Sequence, residues 1–422
     1  MPRLLKWIIA GVAVLLVVLA GTTAALWLSL RDTPTDALDT DLSGVTVTTA
    51  TTPASRPKPP ESANESDRLC WREFGGDPQR SLARTNIDLG LPARKPLWNR
   101  VLDSYMEFPP SYCEGTLYVN TLTGHTWALD AETGRVSWRR LISGPKPSTP
   151  AIDGTRLIVA SKEGTVTALD RRTGKLVWRI ETGSGVESSP VVVDGVAYFG
   201  AHDGRLFAVQ SSSGRIRWAY DTGGRINASP SLYGRRVCVS TYAGSIFCLD
   251  KNTGAKLWGT YVKRDTFRYD SFYSSPSTDG QRLYTITRSG KVVTLDARDG
   301  NVLWTYSVGG WGYATPAVAE DRVFIGGFDG DLHAFRPATG AVLWRTNVGG
   351  KIIGSPVVVG DLVFVSTLAQ QTYALRVADG RIVWRLPLGR YTPVIATERT
   401  YFFSVNGRLL AFHGRNATPP PK

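Results

Sequence analysis

A fifteen-residue phrase recurs along this chain, and a sequence written to a fixed period has few folds open to it. "GTVTALDRRTGKLVW" fills residues 164–178, and "GRLFAVQSSSGRIRW" fills residues 204–218. Copies end at Trp138, Trp178, Trp218, Trp258, Trp304, Trp344 and Trp384, spaced by 40 residues except for one step of 46 after Trp258. A second phrase, a small residue then Pro then a β-rich run, keeps the same beat. Its prolines are 110, 150, 190, 230, 276, 316, 356 and 393.

One period reads as four short strands, 190–193, 196–200, 205–209 and 215–219, parted by Gly-containing turns. Short alternating runs between such turns are strand and hairpin signals. No single unit of this kind can bury both faces of its sheet, so the units must stack around a ring. A four-stranded period near forty residues is a β-propeller blade. Eight proline strands are followed by only seven tryptophan strands, because "GRLLAFHGRNATPPPK" ends without one. Forty residues before Trp138 stands Trp98, in "ARKPLWNRVL". The expected fold is all-β, an eight-bladed β-propeller in which the N-terminal strand closes the last blade and leaves no open edge.

A blade carrying "ALDxxTGxxxW" resembles the pyrroloquinoline-quinone-type (PQQ-like) propeller repeat. The resemblance covers residues 94–416, and "CWREFGGDPQRSLA" (Cys70–Ala83) is similar to the lead-in before such propellers. It implies that Trp98, Trp138, Trp178, Trp218, Trp258, Trp304, Trp344 and Trp384 dock neighbouring blades. The family includes quinoprotein dehydrogenases and scaffolds like the outer-membrane assembly factor BamB. The dehydrogenases share a vicinal Cys-Cys pair, a catalytic Asp and a calcium held by acidic and amide side chains. Here the four cysteines, Cys70, Cys113, Cys238 and Cys248, are dispersed, and the four histidines lack metal-ligand spacing. The expectation is therefore a protein without catalytic residues, PQQ or calcium, BamB-like in role. A quinoprotein dehydrogenase is the alternative, and an extracytoplasmic sensor or substrate-capture module another. Asp130, Asp170, Asp250 and Asp296 precede Gly turns and are read as turn-capping residues.

The first residues set the location. From Trp7 to Leu30 no charge occurs, after Arg3 and Lys6. Such a stretch suits a membrane-spanning helix with the N-terminus inside. The reading is a cytoplasmic tail at 1–6, a transmembrane anchor at 7–30 and a disordered Thr/Pro/Ser-rich linker at 31–68. A lead-in at 69–93, the propeller at 94–416 and a disordered tail at 417–422 follow, with the propeller outside the cytoplasm. Cys70 and Cys113 are expected to pair there and pin the lead-in to the first blade. Cys238 and Cys248 face each other across a hairpin, either bridged or filling a core slot.

The net charge is +13, but its Lys and Arg residues are scattered singly, which argues against nucleic acid as a partner. The period lapses in one connection, "GTYVKRDTFRYDSFYSS", six residues longer than its equivalents. It holds Lys263, Arg264, Phe267, Arg268, Tyr269 and Tyr273. Trp311 and Tyr313 stand nearby, off the docking register. Loops on a rigid scaffold carry binding residues, and exposed aromatics and Arg make anchors. These eight are candidate partner-binding residues. Glu107, Glu187, Asn227 and Arg390, just ahead of their prolines, are expected at the channel mouth. The partner class is another envelope protein, a peptide or a wall polymer, bound by a monomeric propeller.

Overall fold

The computed structural model describes residues 70–319 and 321–417, with the backbone of a short strand at Thr46–Thr49. The expected anchor at 7–30, the tail at 1–6 and residues 418–422 lie outside these. No helix among the described residues is long and apolar enough to cross a membrane. Eight sheets of four propeller strands each form the ring. In blade 3 the strands are Val191–Val193, Val196–Gly200, Arg205–Gln210 and Ile216–Asp221, each antiparallel to the next. In the last blade Trp98–Val101 pairs with Arg408–His413, with Trp98 opposite Ala411. The chain ends close the ring as expected. Four residues of the stretch read as a linker, Thr46–Thr49, pair with the outer strand of blade 2, Leu176–Glu181.

The repeated phrase is a joint between blades. The indole Nε1 of Trp178 donates to the carbonyl of Ser211 in the next blade at 2.7 Å, 33 residues on. Trp98, Trp138, Trp218, Trp304 and Trp344 repeat this bond at the same separation, and Trp258 makes it to Ala297. Trp384 instead packs on Phe403, with ring centroids 5.3 Å apart. Beneath every one of these rings except that of Trp384 lies the turn glycine of the next blade. Gly214 has φ +75°, and a Cβ there would sit 2.9 Å from the Trp178 ring. The Thr-Gly of the phrase therefore does two things: it makes the turn and it leaves the floor on which a large ring lies flat. Asp130 and Asp170 accept from the backbone N–H of Thr133 and Thr173, capping their turns as expected.

The Pro phrase also has a mechanical reading. Before five of the prolines the hydroxyl accepts the backbone N–H of its counterpart one blade back. Thr149 N–H donates to Ser189 Oγ at 3.0 Å, Ser189 N–H to Ser229 Oγ at 2.9 Å and Ser229 N–H to Ser275 Oγ at 2.8 Å. Thr315 and Ser355 continue the belt to Ser355 and Thr392.

The lead-in does more than precede the ring: it occupies its axis. Its atoms bond the middle residue of successive innermost strands. Trp71 exchanges two bonds with Tyr112, and Ile152 N–H donates to the Arg72 carbonyl. Val192 N–H meets the Glu73 carboxylate at 3.4 Å. Leu232, Thr278, Val318 and Val358 donate to Pro78, Gln79, Ser81 and Leu82. Ala83–Arg84 then runs parallel to the innermost strand of blade 7. Seven inner edges are satisfied in order. Cys70 is disulfide-bonded to Cys113, which ties the plug to blade 1. Cys238 and Cys248 are the second bridge, between directly opposed residues of blade 4.

At the centre, fully buried Arg80 donates to the carbonyls of Phe74, Ser189 and Pro230. Burial pulls its pKa down to about 10, so it stays cationic at neutral pH. Burial also pushes Glu73 up to about 7, against the opposing pull of Arg80. Two predictions follow from these contacts. Gly214→Ala forces a side chain into the positive-φ position and against the Trp178 ring, costing about 2–4 kcal/mol; a lowered urea midpoint at unchanged m would register it. The second concerns pH. Glu73 titrates higher folded than unfolded, so the native state binds the extra proton between the ordinary value of 4.5 and about 7. Its contribution is fully present below the lower value and is lost as pH rises through the upper one. Unfolding free energy is expected to fall across this window by up to ~1.4 kcal/mol per pH unit, and Glu73→Gln should flatten that slope in denaturant titrations.

Candidate functional site

Because the first and third turns of a blade fall at one end, the opposite face of the ring collects the connections that enter each blade together with its central hairpins. The plug closes the axis below that face, with Phe74 edge-on to Phe108 at 5.1 Å. What remains is a cup of about 420 Å³ with Phe74 and Phe108 in its wall. Its lining is largely periodic. Glu107, Pro147, Glu187, Asn227, Tyr273, Tyr313, Ile353 and Arg390 all line it, one from each blade. The predicted mouth residues Glu107, Glu187, Asn227 and Arg390 are thus brought together, with Tyr273, Tyr313 and Trp311 of the predicted partner set.

The cup has two unlike halves. On one side Glu187, nearly buried, receives Lys162 Nζ at 3.0 Å, the amide of Asn227 and the Tyr273 hydroxyl at 3.2 Å. His202 Nε2 and Arg225 lie 3.6 and 3.7 Å from the same carboxylate. Burial opposes its charge, yet Lys162, His202 and Asn227 hold its pKa below the ordinary carboxylate value. Glu107 is pushed up by burial and by Glu187, with Lys162 opposing. His202 is pushed down by burial, and by Arg225 and Lys162, against the pull of Glu187. Burial and the two glutamates raise the Tyr273 phenol, which keeps it a proton donor.

The other half is aromatic. Tyr242, Tyr273, Tyr313, Phe328 and Trp311 form a chain of ring contacts, with Tyr273–Tyr313 at 5.3 Å and Trp311–Phe328 at 5.8 Å. Arg288 lies over Trp311 and Lys351 over Phe328, at 5.2 and 5.3 Å. Tyr242, Phe328 and Leu368, all of them lining residues, come from the central hairpins and escaped the sequence reading. They share one register with Lys162, His202 and Arg288; comparing that slot across blades would have found them.

The six-residue insertion folds into a small hairpin closed by a bridge between Lys263 and Tyr269. Asp265 caps its tip by accepting the N–H groups of Phe267 and Arg268, and it pairs with the Arg268 guanidinium. Tyr269 packs on Tyr261 at 5.1 Å. Arg264, Tyr269, Arg288 and Trp311 line a second depression of about 300 Å³. Trp311 lines both hollows and so joins the insertion to the cup. Lys263, Phe267 and Arg268 line neither; Phe267 projects from the tip at 92% exposure.

Fold and site together define a PQQ-type eight-bladed propeller with a plugged axis and an open cup on its hairpin face. The family model for outer membrane protein assembly factor BamB matches residues 64–266 and 243–418, and the chain belongs to that family. No curated protein sequence matches the chain. Among solved structures it is similar to BamB from Moraxella catarrhalis at 21% identity and TM-score 0.66, covering 76% of this chain and 99% of that one. A europium-containing methanol dehydrogenase is similar at 13% identity and TM-score 0.68, covering 83% and 100%. The computationally designed protein Ika8 is similar at 12% identity and TM-score 0.62, covering 74% and 98%. At these identities the structural matches establish the fold alone.

Proposed function

We propose that this protein is a non-catalytic, BamB-like scaffold, held in the cell membrane by residues 7–30, whose extracytoplasmic propeller binds another envelope protein on the cup face. The observation that carries the reading is the lapse of the repeat at one place on that face. The inserted hairpin displays Phe267, and beside it Trp311 is 50% exposed at the lip of the cup. Exposed aromatics backed by Arg288 and Arg264 are the composition of a protein-binding hot spot. Two disulfides suit an oxidising compartment.

The occupants of the cup favour this role over quinone chemistry. Glu187 and Asn227 are an acid–amide pair of the kind that holds calcium in the dehydrogenases. Here Lys162 stands at the Glu187 carboxylate, and the Asn227 carbonyl oxygen accepts Arg225 Nε at 2.9 Å. A calcium ion would have to displace both cations, so these residues fit the metal poorly. Both cysteine pairs lie away from the cup lining.

The test uses the full-length chain in its native membrane. A photo-crosslinking residue at Phe267 or Trp311 should capture the same envelope polypeptide, whereas one at Gln281, on a turn at the opposite end of blade 5, should not. The double variant Phe267→Ala/Trp311→Ala should lower capture at least tenfold at an unchanged melting temperature. Undiminished capture by that variant would rule out the face. A stoichiometric chromophore and dye reduction on adding PQQ and calcium would instead establish the dehydrogenase.

A further inference from the structure

Away from the cup floor, blade 6 departs from the repeat at three consecutive alternate positions. Its central hairpin and third strand read Asp329-Gly330-Asp331-Leu332-His333. The corresponding triplets are Thr123, His125, Trp127 in blade 1 and Asp203, Arg205, Phe207 in blade 3. Blade 4 has Ala243, Ser245, Phe247, and blade 5 has Ser289, Lys291, Val293. Blade 6 alone sets two carboxylates and an imidazole at these slots. Asp331 and His333 are two apart on the strand Asp331–Phe335, so they share one sheet face. Asp329 leads into them from the hairpin. A ligand atom of each lies within 4.8 Å of the others.

His333 supplies the second, independent observation. The residue is 1% exposed, and its Nδ1 has no hydrogen-bond partner. It stacks on Phe335 and meets Tyr306 edge-on, both at 5.7 Å. Packing alone does not call for nitrogen: Phe207 and Phe247 fill the same slot in blades 3 and 4. A buried, unpaired nitrogen costs about 1–3 kcal/mol, which the phenylalanines avoid. Burial holds the imidazole pKa below its ordinary value, against the pull of Asp329 and Asp331.

The carboxylates are held in place by their own partners. Asp329 accepts the N–H groups of Asp331 and Gly309, both at 3.1 Å, and Asp331 accepts the Asn347 amide at 2.7 Å. Such second contacts orient metal ligands. The nearest competing cation is Arg345, 3.9 Å from Asp331 on a side chain that is 66% exposed and can swing away.

We propose that Asp329, Asp331 and His333 form a binding site for a divalent first-row transition-metal ion. One imidazole nitrogen with two carboxylates suits zinc, cobalt or nickel better than calcium or magnesium, which take all-oxygen shells. Three protein ligands leave a position for water. Because Asp329 also holds Gly309, two residues before Trp311, an ion here would stiffen the loop that presents Trp311.

Zinc and, as a spectroscopic probe, cobalt are added to metal-stripped full-length protein. Saturating zinc should raise the melting temperature by roughly 2–5 °C, and cobalt should give a visible ligand-field absorption at one equivalent. His333→Phe, which installs the residue of blades 3 and 4, and Asp331→Asn should each abolish both responses while folding normally. Neither response in the native sequence, or equal responses in both variants, would overturn the site.

Discussion

Everything in this molecule depends on a flat indole lying on a glycine. A propeller blade exposes apolar surface on two faces, and neighbouring blades must meet over it without a continuous backbone ladder between them. The tryptophan of one blade supplies the area, its Nε1–H finds a carbonyl in the next, and the turn glycine of that blade yields the space. The contact is made by residues that lie about 36 apart in sequence, so it follows from the period alone. The single longer step, Trp258 to Ala297, keeps the same bond by absorbing the insertion in a loop.

This is why so much of the fold was legible and part of the site was not. Trp98 completed the count of eight because side chains that join blades must recur. The mouth residues Glu107, Glu187, Asn227 and Arg390 could be placed together because the slot before each proline is geometrically repeated. The axial plug left no such trace. Most of its bonds are made by main-chain carbonyls of Arg72, Pro78, Gln79 and Leu82, which any residue can offer. The aromatic residues Tyr242 and Phe328 were hidden for a different reason. They occupy hairpin positions where other blades carry Lys162 or His202, and variation there reads as loop noise until the ring brings those positions to one rim.

The charge pattern of the cup also depends on the ring. Glu187 collects donors from three other blades, since Lys162, Asn227 and Tyr273 come from blades 2, 4 and 5. No pair of these is near in sequence. A carboxylate held this way is fixed rather than available, whereas the arc opposite it presents aromatic rings packed on one another. The cup is therefore a rigid polar wall facing an apolar one, set on a frame stiffened by the belt of hydroxyls behind the prolines.

The plug has one more property. Repeat arrays gain and lose units easily, since an added blade brings its own strands, joint and glycine. The lead-in does not extend with them. It meets Tyr112, Ile152, Val192, Leu232, Thr278, Val318 and Val358 in sequence, one station for each of seven blades, between Trp71 and Leu82. A ring with a blade more or fewer would widen or narrow the axis and leave stations unmatched or strand edges bare. The short segment ahead of the first blade thus acts as a gauge, and it ties the copy number of the repeat to a stretch of chain that is itself not repeated.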